Sequence, residues 1–309
     1  RLDVYLSSGQ VQLKEFTVNA KDQENPAHAV LRNIIRNKPV NNREKLESYE
    51  YQLYNKMQFD LNNIDENFTE QNMWKKFDFV FDYMDTTTSE KNYLPILITE
   101  SISEFYYRKK PKAKREKIVA SQVSGIENES ITQFMGQMYQ DVNVYENTVL
   151  IFEKSFVSPI SDNGLTFYKY YLEDSTYIGK QWCYKIRFVP KRKQELTFNG
   201  EFWVNDTTWA LKKIHAHIAE DANINFVSDI EVTQRYREVE KEVWMMVFEE
   251  TVVDFQLQKG QIGVYGRKSS YYDDFVINEP HPDEFYKSPD DVEVMEGHRQ
   301  KSQIYWDTI

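Results

Sequence analysis

Apolar and polar side chains alternate over long stretches of this chain. The clearest stretch runs from Glu47 to Leu61 and reads ESYEYQLYNKMQFDL. Its large apolar residues share one parity, namely Tyr49, Tyr51, Leu53, Met57, Phe59 and Leu61. Successive side chains of a strand point to opposite faces, so this pattern predicts a strand with one dry face and one wetter face.

Similar runs recur almost to the end of the chain. They predict further strands at 95–107, 117–125, 148–157, 165–173, 182–190, 195–205, 208–219, 224–237, 242–255 and 261–277. Turn-like breaks such as Asn163-Gly164 and Asn205-Asp206 separate them. Connections this short favour antiparallel neighbours. The strand at 242–255 is apolar on both faces, which predicts a central position in the sheet.

Two segments show clear helical periodicity. Asn25 is a suitable N-cap for a helix over 26–38, with proline in its first turn and Lys38-Pro39 at its end. Its apolar face consists of Ala27, Val30, Leu31, Ile34 and Ile35. A second helix is predicted over 130–140, and residues 77–84 are a third candidate. The pattern therefore predicts a mainly β (α+β) fold, in which helices pack on one face of a large curved antiparallel sheet.

Composition is consistent with a well-packed protein. The 309 residues are 40% apolar and 15% aromatic, enough for a sizeable core. A formal net charge of −11 argues against a general nucleic-acid binder. The single cysteine, Cys183, can form neither an internal disulfide nor a cysteine cluster for a metal.

His215 and His217 share strand parity, so both imidazoles project from one face of the sheet. They could ligate zinc if a carboxylate from a neighbouring strand joined them, and Glu231 and Glu201 are the candidates. The simpler interpretation is two polar residues on the less buried face of a strand. No HExxH motif and no third histidine supports a metal, so we expect no cofactor.

The other reactive groups have simple structural explanations. Glu100 and Glu104 would lie about 13 Å apart along one strand, too far for a direct acid–base pair. Cys183 lies in an apolar strand and is more typical of a small buried side chain than of a nucleophile. The basic run at 109–117 either contacts anionic lipid or forms a solvated hairpin tip that resists edge pairing.

Five stretches resemble one known family. Residues 11–18 (VQLKEFTV) resemble the closing strands of the carboxypeptidase-regulatory-like β-sandwich that begins many Bacteroidota outer-membrane proteins. Residues 25–38, 45–61, 95–125 and 198–236 resemble successive blocks of the large domain of unknown function that follows it. In the last block, strands around an Asn-Asp turn are similar to the curved half-barrel sheet of lipoprotein-carrier (LolA-like) proteins.

The resemblance implies an organisation and a location. Residues 1–20 would close the sandwich, 21–280 would form a curved-sheet periplasmic domain, and 281–309 would lead toward a C-terminal outer-membrane β-barrel. The implied function is a non-enzymatic module at the periplasmic face of the outer membrane. It would bind or position a lipid, a lipoprotein or a partner subunit, with its own barrel as a further partner. The alternative is a metal-dependent envelope hydrolase that uses His215 and His217.

One set of apolar residues is the predicted ligand surface. Two neighbouring strands place them on one face: Trp182, Tyr184, Ile186, Phe188, Phe198, Phe202 and Val204. Large exposed apolar patches are rare on monomers, so helices, a ligand or a partner must cover this surface. We expect any ligand to be apolar and to lie between this face and the helices.

Overall fold

In a computed structural model, most of the chain folds around one large sheet. The structure describes residues 24–62, 94–125, 135–136, 138–139, 142–219, 222, 224, 227–255, 263–287, 292–301 and 303–306. The strands in this part are β1 (Ser48–Asn62), β2 (Leu94–Arg108), β3 (Ala113–Gly125), β4 (Thr148–Ile151), β5 (Lys154–Val157), β6 (Tyr168–Ile178), β7 (Gln181–Pro190), β8 (Phe198–Asn205), β9 (Leu211–Ile218), β10 (Val227–Glu240), β11 (Val243–Phe255), β12 (Gly263–Ile277) and β13 (Val292–Val294). The helices are α1 (Pro26–Asn41), α2 (Gly164–Phe167) and α3 (Gln303–Trp306), with 3-10 turns at Arg43–Lys45 and Asp283–Tyr286.

Eleven of these strands form one sheet in the order β13-β3-β2-β1-β12-β11-β10-β9-β8-β7-β6. Strands β6 to β12 are a meander in which each pairs antiparallel with the next. Strand β1 lies between β2 and β12, and short β13 pairs parallel with β3. The prediction of a mostly β protein with a large antiparallel sheet and few helices is confirmed.

Burial follows the predicted alternation. In β1 the side chains of Tyr49, Tyr51, Leu53, Met57 and Phe59 are buried, and the residues of opposite parity between them are more exposed. The face carrying Tyr51, Leu53, Ile186, Phe202 and Ile214 is called the core face here, and the opposite face the outer face. Strand β11 lies sixth in the order and buries residues of both parities, as its sequence predicts.

Helix α1 begins as predicted and extends further. The Asn25 side chain accepts a hydrogen bond from the Ala27 amide (2.9 Å) and donates one to the Tyr170 carbonyl of β6 (2.8 Å). The predicted end at Lys38-Pro39 is wrong, since the helix continues to Asn41. Tertiary contacts stabilise this last turn, because Asn41 donates to the Thr208 carbonyl (2.9 Å) and Lys38 to Asn147 (2.9 Å).

Several strand boundaries differ from the prediction, and three of the differences have a clear local cause. Residues 148–157 are a hairpin, because Phe152 and Glu153 adopt left-handed φ angles of 47° and 59°. Residues 164–167 are a helical turn, so β6 begins at Tyr168. Strand β9 begins at Leu211 instead of 208, because the Asn205 side chain accepts hydrogen bonds from the Thr207 and Thr208 amides and holds a turn.

Several predicted segments lie wholly or partly outside the described residues. They include 1–20, 77–84, most of the helix at 130–140, and residues 225–226 and 261–262 of two predicted strands. From the segment 130–140, Met138 is buried and Met135 packs against the core. Strand β13 adds residues beyond 280 to the same sheet, and the predicted boundary there stays a prediction. No helix in the described part is long and apolar enough to cross a membrane.

Candidate functional site

A row of polar side chains crosses the core face. Gln234 lies opposite Glu249, Glu249 opposite Ser270, Ser270 opposite Asn55, and Asn55 opposite Ser101. Directly opposed residues of neighbouring strands point to the same face, so these five form one line across β10, β11, β12, β1 and β2. The first four are buried. Such a row is unusual in the middle of an apolar core.

Hydrogen bonds satisfy this row from within the protein. The Gln234 amide donates to Glu249 (2.8 Å) and to the Val142 carbonyl (2.6 Å), and the Ser270 hydroxyl donates to Asn55 (2.6 Å). Lys268 Nζ lies 3.4 Å from Glu249 Oε2 in an ion pair that is nearly dry. Removing two charges from water costs several kcal/mol per ion, so such a pair is weak evidence for stability.

The ion pair lies in the wall of a cavity of about 560 Å³ on the core face. Apolar and aromatic side chains line much of it, among them Tyr51, Leu53, Phe105, Ile118, Met135 and Tyr272. Its polar wall includes Glu249, Lys268, Asn55, Ser101, Lys114 and Glu116. This volume lies within the range of about 300–1,000 Å³ that is usual for small-molecule sites.

Apolar side chains contribute to the exposed part of the cavity lining. Val123, Tyr139 and Val292 line the cavity and are also exposed, with 45%, 53% and 47% of their surface in solvent. Val292 belongs to β13, so residues beyond 280 form part of this rim. Exposed apolar side chains that continue into a cavity are typical of a site for an apolar ligand.

The seven residues predicted as a ligand surface lie elsewhere on the core face. Ile186, Phe188, Phe198, Phe202 and Val204 are at most 3% exposed and belong to the continuous core. The Phe188 ring packs on Phe202 (5.8 Å between centroids). Trp182 and Tyr184 are half-buried, and Tyr184 stacks on Trp209. None of the seven lines the 560 Å³ cavity, and their contact with a ligand stays a prediction.

The sequence contained a signal for the polar row. Asn55 occupies an apolar-parity position in an otherwise regular strand, and Ser270 and Lys268 share a parity in β12. A polar residue at a buried position is more informative than an exposed apolar one. The strand register was missing, because only the register shows that these residues line up.

The two histidines meet a carboxylate on the outer face. His215 Nε2 lies 2.7 Å from Glu231 Oε1, and His217 Nδ1 lies 3.6 Å from Asp229 Oδ2. The two imidazole rings are 4.7 Å apart and perpendicular. Glu201, the other candidate ligand, pairs with Lys185 at 2.6 Å.

The remaining candidates have separate partners. Glu100 accepts hydrogen bonds from Tyr54 and Gln122, and Glu104 accepts one from Tyr106 (2.8 Å). Burial raises the pKa of the Tyr54 phenol, and its hydrogen bond to Glu100 adds to the rise. Cys183 is buried, and this burial raises the pKa of its thiol, which disfavours the nucleophilic thiolate.

Half of the basic residues at 109–117 form ion pairs within the chain. Lys109 pairs with Glu47 (3.6 Å), Lys112 with Glu44 (3.7 Å), and Arg115 with Glu293. These pairs connect the β2–β3 hairpin to neighbouring segments. Lys114 has no acidic partner in the described ranges and, unlike Lys110 and Lys117, it lines the cavity.

Together, the sheet and its cavity define a mainly β protein with a ligand-sized space on one face of a large antiparallel sheet. The chain belongs to the family of unknown function DUF5686, whose model matches residues 30–275. No curated protein matches the chain.

Three solved structures are among those similar to the chain. A DUF1329 family protein from Desulfovibrio piger has 10% identity and a TM-score of 0.35, over 85% of this chain and 98% of that one. A putative outer membrane lipoprotein-sorting protein domain from Vibrio parahaemolyticus has 8% identity and a TM-score of 0.33, over 84% and 97%. A LolA superfamily protein from Nitrosomonas europaea has 9% identity and a TM-score of 0.26, over 85% and 97%. TM-scores this low carry no conclusion about function.

Proposed function

We propose that the chain is a non-enzymatic binding module whose core-face cavity holds an amphipathic ligand, either a lipid or the acyl chain of a lipoprotein. The observation that carries this proposal is the 560 Å³ cavity, which combines a largely apolar lining surface and exposed apolar side chains with the buried Lys268–Glu249 pair. Each methylene buried in such a space contributes about 0.8 kcal/mol. A cavity of this kind therefore suits an acyl chain.

The polar end of the ligand is expected to be anionic. Lys114 lines the cavity from β3, and its exposed ammonium has no acidic partner in the described part of the chain. Glu116, also in the wall, is occupied by a hydrogen bond from the Ser103 hydroxyl (2.6 Å). A carboxylate or phosphate head group beside Lys114 would satisfy the ammonium without burying an unpaired charge.

We further propose the setting of this module. It works in the bacterial envelope at the periplasmic face of the outer membrane, with its own C-terminal β-barrel as a partner and no nucleic acid. The sheet is curved into a LolA-like half-barrel, and α1 and the 130–140 segment pack on its core face. The family resemblance supports this setting, and Met135 and Met138 in the core support the packing.

The first experiment tests the cavity directly. Dansylated undecanoic acid is titrated into the purified protein, and its fluorescence is followed with palmitic acid as competitor. We expect saturable binding in the wild type and at least about tenfold weaker binding for Ser101→Phe, which fills the cavity. Ser124→Phe is the matched control, because Ser124 is exposed on the neighbouring strand and faces away from the core.

The result is decisive in either direction. No saturable binding by the folded wild type, or equal binding by the two phenylalanine variants, would overturn the proposal. Circular dichroism of both variants confirms that they are folded. A second pair tests the anionic head group: Lys114→Glu should weaken binding of the probe, whereas Lys110→Glu makes the same charge change at the exposed hairpin tip and should not.

A further inference from the structure

We propose that His215, His217 and Glu231 form a binding site for a divalent transition metal of the Zn²⁺ class. The site lies on the outer face of the sheet, on β9 and β10, whereas the cavity lies on the core face of other strands, and the site does not depend on the proposed lipid-binding function. The expectation of no cofactor rested on the absence of an HExxH motif and of a third histidine. The register of β10 against β9 brings one of the two candidate carboxylates, Glu231, to the histidines as a third ligand.

The possible ligand atoms of the three side chains lie close together in the structure. One ligand atom from each of the three residues lies within 4.8 Å of the other two. A tetrahedral zinc ion with bonds of about 2.1 Å separates its ligand atoms by about 3.4 Å. The closest pair, His215 Nε2 and Glu231 Oε1 at 2.7 Å, would need to open slightly, and the others to close. Both changes require rotation of the side chains.

The backbone positions these side chains firmly. His215 and His217 lie two residues apart in β9, and Glu231 lies opposite His217 in β10. The alternate residues Ile214, Ala216, Ile230 and Val232 are buried in the core. A site built on strands whose other face is locked by packing is better preorganised than a site on a loop.

A fourth position can be filled from the same strand. Asp229 lies two residues before Glu231, and its Oδ2 lies 3.6 Å from His217 Nδ1. Two imidazoles with one or two carboxylates form a donor set that suits zinc. The imidazole side chains are 30% and 39% exposed, so an ion can reach them from solvent.

A second histidine–carboxylate pair in the chain, His281 with Glu50, serves as a control for this site. His281 Nε2 lies 2.7 Å from Glu50 Oε2, the same distance as in the His215–Glu231 pair. Its ring stacks on Phe285 (4.1 Å between centroids) and has no second histidine beside it in the described residues. An ordinary histidine–carboxylate hydrogen bond therefore exists in the same protein as an internal control.

The test measures metal binding directly. Protein made without a histidine tag is stripped with a chelator, titrated with Zn²⁺ by calorimetry, and analysed for bound metal after desalting. We expect one zinc per chain in the wild type and in His281→Ala. The double substitution His215→Ala, His217→Ala should abolish this binding, and the near-isosteric Glu231→Gln should weaken it.

A thermal-unfolding readout separates binding from folding. Zinc should raise the Tm of the wild type and of His281→Ala, and it should leave the Tm of the double variant unchanged. The absence of stoichiometric zinc in the wild type would overturn the inference. So would zinc binding that survives in a folded double variant. Glu231→Gln keeps both histidines and the side-chain shape, so it remains informative if the double variant fails to fold.

Discussion

The ammonium of Lys268 lies 3.4 Å from the carboxylate of Glu249, and their side chains are only 7% and 1% exposed. The two residues come from neighbouring strands and both face the cavity. Gln234 donates a second hydrogen bond to the same carboxylate. The pair is therefore a fixed polar feature inside an otherwise apolar face.

Breaking this ion pair from one side should be costly. Lys268→Met leaves Glu249 as a buried carboxylate without its cation, and we expect a loss of about 3–5 kcal/mol in the free energy of unfolding. Adding Glu249→Gln should recover most of the loss, because an amide still bonds to Gln234 and carries no charge. Urea unfolding at pH 7 measures both.

Lys287→Met is the control for this substitution. Lys287 and Glu284 are 73% and 80% exposed and lie 3.9 Å apart, so their pair is screened by water and should contribute almost nothing. Equally small losses of unfolding free energy for Lys268→Met and Lys287→Met would show that water screens the Lys268–Glu249 pair as well.

Gly200 should not tolerate a side chain. A Cβ at this position in β8 would lie 2.2 Å from the His215 carbonyl oxygen and 2.8 Å from Ala216 Cα, both on the neighbouring strand. Because backbone atoms cannot move aside as a flexible side chain does, Gly200→Ala should cost about 1–3 kcal/mol. Gly136→Ala is the control, since its Cβ would meet no heavy atom within 4 Å. Thermal unfolding compares the two variants.

Much of the sheet could be predicted from sequence, because strand alternation is a local signal. Residues 47–61 show it clearly, and β7 to β12 follow with short turns that make sequential neighbours pair. The hairpin at 148–157 was missed because Phe152 and Glu153 adopt left-handed conformations that their residue types do not indicate.

The candidate sites depended on information that no local pattern contains. Strand β1 pairs with β12, about 200 residues later along the chain, and only that pairing places Asn55 opposite Ser270. In the same way, the register of β10 against β9 brings Glu231 to the histidines. The apolar face of β7 and β8 was recognised from sequence, but the pattern left open whether helices, a ligand or a partner covers it, and in the structure it belongs to the core.

Protonation of the Asp162 carboxyl should contribute to the loss of stability in acid. Its hydrogen bond from Asn147 (3.0 Å), together with the ammonium of Lys38 (3.1 Å), lowers the pKa of this carboxyl from its usual value. A carboxyl with a depressed folded-state pKa stabilises the fold above its unfolded pKa of about 3.9, and this contribution disappears as the pH falls through the lower folded pKa.

Asp162→Asn should therefore lower the free energy of unfolding at pH 7. The difference in this free energy between the variant and the wild type should become smaller below about pH 4. Urea unfolding across this range measures the difference. Glu284→Gln, at an exposed position, should follow the wild-type profile. A difference between wild type and Asp162→Asn that is constant with pH would contradict the assignment.

Two phenylalanines on the core face should respond in opposite ways, and this contrast locates the ligand. Phe202 is fully buried and packs against Phe188. Phe202→Ala should cost about 3–5 kcal/mol in stability. At a temperature where the variant remains folded, it should leave binding of the dansylated fatty acid nearly unchanged, because Phe202 does not line the cavity.

Phe105 lines the cavity, is only half-buried, and stacks on Tyr51 (4.9 Å between centroids). Phe105→Ala should reduce stability less than Phe202→Ala does, and it should clearly weaken binding of the dansylated fatty acid. The opposite result, in which Phe202→Ala weakens binding of the probe and Phe105→Ala does not, would contradict the cavity assignment. The ligand would then lie on the aromatic face of β7 and β8 that was predicted from sequence.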